Sequence, residues 1–564
     1  MTNDAIADTF TLLAKLMDIH GENAFKIKTY SIAAYNIEKT EQQLSTLTPE
    51  QLYATKGIGT SIGSKVTELL TTGTLQQLEQ LIAATPQGII DMMHIKGLGP
   101  KKITTIWKEL GIESIGELLY ACNENRLLLY KGFGAKNQQS IKESIEFYNN
   151  AQGSYLYAKV VEVLPEITSY VAAIFAPIQV TLTGAVPMQR STIDTLEYIV
   201  HLPLGTIIDI ITAQEHISVV HTHTSLICFK YTGIPLSITI YSSYINGIHM
   251  PIKQELITSS SLEFFNAFDA TYHSIDYAKA YSIADAFAQA SLSYIPAYAR
   301  ELPQTIELAK QGKLPNVIQA TSIKGMIHNH SNWSDGAHTI QEMAEACIAL
   351  GYEYLVISDH SKSAYYAKGL SEDRIKEQHV LINQLNKQYA PFKIFKSIEC
   401  DILNDGSLDY SDAILSTFDL VIASVHSNLK MTQEKAMQRL LTAVENPYTT
   451  ILGHLTGRLL LSRPGYPVQY ERIIEACATN YVSIELNAHP SRLDVDWQYI
   501  PSILASDVLI SINPDAHSTN GFGVVTYGVL AAQKGLLTAA QNLSSFSLHD
   551  FEEYIYEIRE RKGV

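Results

Sequence analysis

Cysteine is scarce here: Cys122, Cys228, Cys347, Cys400 and Cys477 are the 5 in 564 residues, an odd set with no pairing pattern. That excludes a small disulfide-stapled secreted framework and fits a reducing, cytoplasmic setting. Long apolar runs are also missing. None reaches the ~18 residues a membrane helix needs. The amino-terminal stretch has no basic start, apolar run and small-residue cleavage site, so neither a membrane protein nor a secretory leader is expected. An excess of positive charge is lacking too, the net charge being −16. A chain that is polyanion-binding all over is excluded, although a local basic face is not. Residues 1–150 hold 14 Lys and Arg against 16 Asp and Glu, residues 151–321 hold 8 against 13, and the remainder holds 19 against 28. The acidity therefore gathers at the carboxy-terminal end, as carboxylates that serve metals would require.

What is present is an ordinary apolar fraction of 46%, over a length too great for one core, so several domains are expected. Residues 1–150 carry short amphipathic helical patterns, with apolar residues at helical spacing over Ile6–Met17. One pattern occurs there three times: Lys56-Gly-Ile-Gly59, Lys96-Gly-Leu-Gly99 and Lys131-Gly-Phe-Gly134. Each precedes a helical stretch with lysine in its first turns: Lys65, Lys101 with Lys102, and Lys136. Glycines at that spacing permit a tight turn with free amides at the next helix start, the arrangement that accepts a phosphate. The predicted element is a helix-hairpin-helix. The residues expected to meet DNA are Gly57, Gly59, Lys65, Gly97, Gly99, Lys101, Lys102, Gly132, Gly134 and Lys136, through phosphates and without reading sequence. Lys26 and Lys28 either extend that face or are solvated lysines on an amphipathic edge.

Residues 151–321 turn β-rich, with strands predicted at Ile178–Leu182, Tyr198–Leu202 and Leu236–Tyr241. His221-Thr-His223 has no carboxylate in register and reads as surface histidines. From about residue 322, strands and helices alternate, which predicts an α/β barrel or sheet. Met326-Ile-His-Asn-His-Ser-Asn-Trp-Ser-Asp-Gly336 opens this region, with His328 and His330 expected on one side of a strand and Asp335 on the following loop. Further apolar runs lead to His360, Glu399, His426, His454, Asp515 and His517. Buried parallel strands read as apolar runs, and a His, Asp or Glu at each carboxyl end converges on one rim. The donors are nitrogen and oxygen without cysteine, which suits Zn²⁺ or Mn²⁺.

These motifs carry two resemblances. Asn23-Ala-Phe-Lys-Ile-Lys-Thr-Tyr30, Gly57–Lys65 and Thr183-Gly-Ala185 resemble the family X DNA polymerases. His-Asn-His, Ser-Asp-Gly, Ser-Asp-His-Ser, Ser-Ile-Glu, Ser-Val-His, Gly-His-Leu-Thr-Gly-Arg and Asp-Ala-His resemble the polymerase-and-histidinol-phosphatase (PHP) superfamily. Together they imply the architecture of bacterial family X polymerases with a fused PHP domain. Residues 1–90 form a small helical DNA-end-binding domain and 91–150 helix-hairpin-helix fingers. Residues 151–321 form a nucleotidyltransferase-like α+β palm and thumb, and 322–564 a distorted (β/α)7 barrel. The second resemblance implies three divalent ions, zinc or manganese or both. His328, His330, Glu399 and Asp515 hold one, Glu399 bridges to a second with His426 and His454, and Asp335, His360 and His517 hold the third. Arg458, with Arg492 or Lys362, is expected to clamp a phosphate, and Arg458, Asp335 and His360 are counted as catalytic.

The first resemblance departs from its pattern in the palm. The paired carboxylate positions fall on Thr195 and Glu197 and the third on Ser237; an alternative register makes Asp194 a ligand. Pro187 and Met188 replace an arginine pair, and Phe264–Asp269 replaces the thumb motif. One carboxylate cannot hold two ions, so a degenerate palm is expected. Lys65 falls where the resemblance would put the Schiff-base lysine of the family's deoxyribose-phosphate lyase, with phosphate contact as its expected role. The function expected is DNA repair or end processing, by metal-dependent hydrolysis of DNA phosphodiesters as a 3′–5′ exonuclease, or on abasic sites or 3′ phosphates. The substrate is gapped, nicked or 3′-ended DNA bound by a monomer. The alternatives are a gap-filling polymerase with PHP proofreading, a phosphatase of histidinol-phosphatase type, and a non-enzymatic DNA-end scaffold.

Overall fold

In the computed structural model the chain forms two compact units, Met1–Gln152 and Gly153–Val564. The structure describes residues 1–564 except 56–57, 114, 116–117, 119–120, 123–126, 128–129, 131, 152, 233, 235, 365–366, 430 and 462–463. Lys56, Gly57 and Lys131 of the motifs above lie outside the described residues.

The first unit is helical. Helix α1 (Asn3–Ile19) is capped by the Thr2 hydroxyl and lies against α2 (Ala24–Glu38), which is capped by Asn23. Their inner faces close around Phe10, Leu13, Tyr30, Ala33 and Ile37. In each hairpin the residue between the glycines is an apolar anchor: Ile58, Leu98 and Phe133 are all buried. Gly59 and Gly99 are the N-caps of α3 (Thr60–Thr72) and α4 (Pro100–Thr104), and α5 (Ala135–Ala151) begins directly after Gly134. The first glycine of the second and third hairpins sits in the left-handed region, Gly97 at φ 87° and Gly132 at φ 94°, where a side chain would be strained.

The second unit begins with a five-stranded sheet. Its strands are β1 (Val180–Thr183), β2 (Thr195–Val200), β3 (Ile217–Thr222), β4 (Leu226–Tyr231) and β5 (Ser237–Ser242), in the order β1-β2-β5-β4-β3. Only the central β2–β5 pair is parallel. Helices α6 (Tyr157–Phe175) and α7 (Leu204–Thr212) supply Ile167, Val171, Phe175, Ile207 and Ile211 to the cluster that covers one face. Phe264 and Phe268, in the stretch that departs from the thumb motif, are fully buried in a further apolar cluster.

Seven parallel strands follow: β6 (Gly325–Asn329), β7 (Tyr354–Ile357), β8 (Lys393–Asp401), β9 (Leu420–Ser424), β10 (Thr449–Leu452), β11 (Ser483–Asn487) and β12 (Ile510–Asn513), in sequential order. The barrel nearly closes: Asn329 bridges Ala516, and the His330 amide donates to the Ala516 carbonyl at 2.9 Å. This is the (β/α)7 barrel expected from the run of apolar strands. The carboxy-terminal helix α8 (Leu548–Lys562) packs Phe551 flat on Tyr354, with centroids 4.5 Å apart, and caps the barrel cluster containing Ile327, Val356 and Ile422. The metal-competent residues collect at the opposite ends of the strands.

The sheet and the barrel are joined by buried polar contacts. Lys534 donates to the Met188 carbonyl at 2.8 Å and to Glu301 at 2.7 Å, and Gln189 donates to Gln533 at 3.0 Å. The stretch that stands in place of the arginine pair is thus a docking point for the barrel. Burial lowers the Lys534 pKa, and the Glu301 carboxylate opposes that shift. Among the described residues, no helix is long and apolar enough to cross a membrane.

Candidate metal centre

Glu399 is the hub of the cluster. It is 1% exposed, and five imidazole nitrogens surround its carboxylate. His454 Nε2 lies 2.9 Å from it, His426 Nε2 3.0 Å, His360 Nδ1 3.0 Å, His328 Nε2 3.3 Å and His330 Nε2 3.6 Å. Asp515 lies 3.1 Å from His330 Nε2. Asp335 lies 3.3 Å from His517 Nε2 and 3.6 Å from His360 Nε2. All nine sequence-predicted ligand positions are therefore in one place. The distances do not divide as the resemblance implied, because His330 stands with Asp335, His360 and His517 as well as with His328 and Asp515, and His360 stands also with Glu399 and His426.

The backbone reaches this geometry by a route that period-2 reasoning missed. His328 and His330 do not share a face by simple pleating. His328 has φ 60°, the β6–β7 register shifts between Met326 and Asn329, and His330 lies beyond the strand end. Asp515 is also left-handed, at φ 51°. Each such residue costs on the order of 1–3 kcal/mol, and strain of this kind collects at functional sites. Gly453 shows why a glycine precedes His454: a Cβ there would lie 2.2 Å from the Ser424 hydroxyl of the neighbouring strand.

Electrostatically the cluster asks for cations. Burial opposes ionisation of Glu399, yet His426, His328 and His360 hold its carboxyl well below the usual carboxylate range. Burial likewise opposes charge on His360 and His426, but Glu399 with Asp335 raises the first to about 11, and Glu399 with Asp401 raises the second to about 9. His330, buried and facing His517 and His360, falls to about 3. Protons on imidazoles thus stand where bound cations would otherwise balance the carboxylates. Divalent ions fit these residues. His328 Nε2, His330 Nδ1 and His454 Nδ1 are buried and make no hydrogen bond among the described residues, and the donor set is nitrogen and oxygen throughout.

A supporting layer was not anticipated. Asp401, two residues after Glu399 on β8, accepts from His426 Nδ1. Asp359 is fully buried and accepts from the hydroxyls of Ser331 and Ser334 and from the Gln378 amide, fixing the loop that carries Asp335. Glu485 and Asn487 on β11 touch His328 and Asp515. Their signal in sequence is faint: a charged or amide residue inside an otherwise apolar strand.

Other expectations need correction. Arg458 does not present an open guanidinium fork. Its Nε donates to the Arg492 carbonyl at 2.9 Å, and its terminal nitrogens meet Asp496 and the Leu493 carbonyl, so it braces the loop that follows β11. Lys362 stands 3.7 Å from Glu372. In the first unit, Lys102 donates to the Gly97 carbonyl at 3.0 Å and Lys65 pairs with Glu68 at 2.6 Å, whereas Lys101 and Lys136 are exposed. Apart from the glycine and its chain neighbours, nothing among the described residues lies within 4 Å of where a Cβ would sit at Gly59, Gly97, Gly99, Gly132 or Gly134, so a ligand backbone can approach those turns. His221 and His223 have rings 5.2 Å apart and form no metal-competent group of three among the described residues.

In the sheet, the carboxylate that remains is already used. Glu197 accepts from the Ala185 amide at 2.9 Å and from the Tyr241 hydroxyl at 3.0 Å. It fills the space over Gly184, where a Cβ would lie 1.8 Å from Glu197 Oε2. Thr195 donates to the Ser237 carbonyl at 3.0 Å, and Asp194 is exposed and accepts from Ser154.

A helix-hairpin-helix domain family matches residues 1–75, a SAM-like helix-hairpin-helix tandem residues 89–146, and the PHP domain residues 327–489. The DNA polymerase/3′-5′ exonuclease PolX of Bacillus subtilis is 31% identical over 96% of this chain and 97% of its own length. The chain belongs to the PolX family. Shorter stretches are similar to a probable phosphatase of Acetivibrio thermocellus, 30% identical over 29% of this chain and 64% of that protein. A probable phosphatase of Caldanaerobacter subterraneus is 29% identical over 28% of this chain and 60% of that protein. Family membership accounts for the order of hairpins, mixed sheet and barrel, with the PHP match beginning at the strand that carries His328.

Proposed function

We propose that this chain is a metal-dependent DNA phosphodiesterase that shortens strands from the 3′ end. Its barrel carries the chemistry, its hairpins hold the DNA, and its sheet is a platform that does not polymerise. The observation that carries the reading is the carboxylate of Glu399 ringed by five histidines at the carboxyl rim of the barrel. Together, His328, His330, Asp335, His360, Glu399, His426, His454, Asp515 and His517 would hold zinc or manganese. Bound there, such ions would bring the pKa of a coordinated water to about 7 and neutralise phosphate oxygens. The chain's own part is to fix these donors on one rim and to bring the substrate to it. The hairpin glycines leave room for a backbone phosphate, and the exposed Lys101 and Lys136 add charge without reading bases.

The test is a duplex with a 5′-labelled strand and a recessed 3′ end, incubated with Mn²⁺. A ladder of products shortened from the 3′ end, erased by a chelator, is expected. A full-length strand would overturn the reading. Release of phosphate from a phosphomonoester at a rate exceeding that of strand shortening would favour the phosphatase named in the shorter relatives.

DNA binding makes a separate prediction. Lys101→Ala combined with Lys136→Ala should weaken affinity for every sequence alike. It should also reduce the slope of log K against log salt by about 1.8, at ~0.9 per lost phosphate contact on duplex. Fluorescence anisotropy over a salt series checks this, and an unchanged slope would remove these lysines from the interface.

A further inference from the structure

Six of the seven barrel strands, or the turns that follow them, deliver the nine candidate ligands. The exception is β11 (Ser483–Asn487), which delivers none of them. We propose that β11 is the strand that aligns the others, with Glu485 as the positioning residue that orients His328 and seats His454. The proposal rests on the reading of the rim as a metal centre.

Glu485 is fully buried, and both of its oxygens are used. Oε1 accepts from His328 Nδ1 at 2.5 Å and from the Asn513 side-chain amide at 2.8 Å, while Oε2 accepts from the His454 backbone amide at 2.6 Å. One carboxylate thereby ties β6, β10 and β12, across 157 residues of sequence in the longest of these contacts. Placing such a charge in a dry site is costly unless donors surround it, and here three do.

The consequence for His328 is specific. Donation from Nδ1 to Glu485 fixes the proton on that nitrogen and leaves Nε2 to face the rim. There it stands 3.3 Å from Glu399 and 3.7 Å from Asp515 and has no hydrogen-bond partner among the described residues. A carboxylate behind an imidazole sets both its ring orientation and its basicity toward a cation. The bond to the His454 amide acts on a second ligand in another way, by fixing the chain just past Gly453 so that His454 Nε2 points at Glu399 from 2.9 Å. Asn487, on the same strand, donates to Asp515 Oδ2 at 3.0 Å, leaving Oδ1 toward His330.

The experiment measures metal affinity of the full chain by chelator competition with Zn²⁺ and Mn²⁺, without DNA, with circular dichroism as the check on folding. Glu485→Gln keeps the shape and loses the anion, and Glu485→Asp keeps the anion and withdraws it from both histidines. Each is expected to weaken the tightest-held metal by about 10–100-fold, the loss typical of such supporting groups. Adding Glu485→Gln to a His328→Ala chain is expected to cost much less, because the imidazole it acts through is gone. Parental affinity in either folded variant would overturn the proposal, as would an equal loss in the His328→Ala background. A parental chain that binds no metal would instead overturn the metal-centre reading itself, so the two failures are distinguishable.

Discussion

Glu399→Gln is expected to lower the rate of DNA hydrolysis by on the order of 1,000-fold, which corresponds to about 4 kcal/mol of lost transition-state stabilisation. Metal content should fall with the rate, while DNA affinity measured in chelator stays at the parental value. The magnitude follows from connectivity. His328 and His330 belong to β6 and its end, His360 follows β7, His426 follows β9 and His454 follows β10, and all five meet at this one carboxylate within 3.6 Å. Glutamine keeps the volume and removes the charge, so the rim loses the anion that its imidazoles share. Alanine is the poorer test, since deleting one partner of a buried ionic cluster costs about 3–5 kcal/mol of fold stability. Rate measurements on the parent in a chelator series supply the reference, because stripping the ions should reproduce the loss. A Glu399→Gln chain that digests DNA at the parental rate would show that the hydrolytic centre lies elsewhere.

The ligand positions were legible in sequence because parallel strands obey a simple rule. A strand buried on both faces is an apolar run, and a polar residue at its carboxyl end reaches the rim. His426 follows Leu420–Ser424 by that rule, and His454 follows Thr449–Leu452 by the same one. Glu399 was found although it lies inside β8, two residues before the strand ends. What the rule does not contain is partnership. Glu485 reads as one charged residue in a strand, and only the fold shows that it answers His328 and His454. Arg458 and Lys102 read as free cations for the opposite reason, since carbonyls that accept from them are invisible to composition. The left-handed backbone at His328 was hidden as well, because nothing in His-Asn-His marks the interruption of the pleat. In the first unit the hairpins were legible from repetition, where glycines flank a residue that the fold buries three times over.

On a gapped duplex with Mn²⁺ and all four nucleotides, the primer is expected to shorten and never to lengthen. Nucleotidyl transfer at a palm needs two divalent ions about 3.5–4 Å apart, held by carboxylates on neighbouring strands. Here the parallel pair β2–β5 sets Thr195 opposite Ser237 and Glu197 opposite Thr239, so the register brings hydroxyls and one carboxylate together. Thr195 spends its proton on the Ser237 carbonyl, and Glu197 is held by the Ala185 amide and the Tyr241 hydroxyl. A carboxylate that caps a turn would have to abandon two donors to meet an ion, and no second one on β2 or β5 stands ready to share the load. Asp194 directly precedes β2 and is exposed; its carboxylate engages Ser154, and its carbonyl accepts from the Ser237 hydroxyl at 3.3 Å. Glu197→Gln should therefore leave nuclease activity and DNA affinity within about twofold of the parent, while weakening the turn at Gly184 by the ~1–3 kcal/mol expected for a damaged hydrogen-bonded group. A primer lengthened in the presence of nucleotides, and no longer lengthened by Glu197→Gln or Asp194→Asn, would return these carboxylates to catalysis and make the barrel a proofreading partner of a working palm.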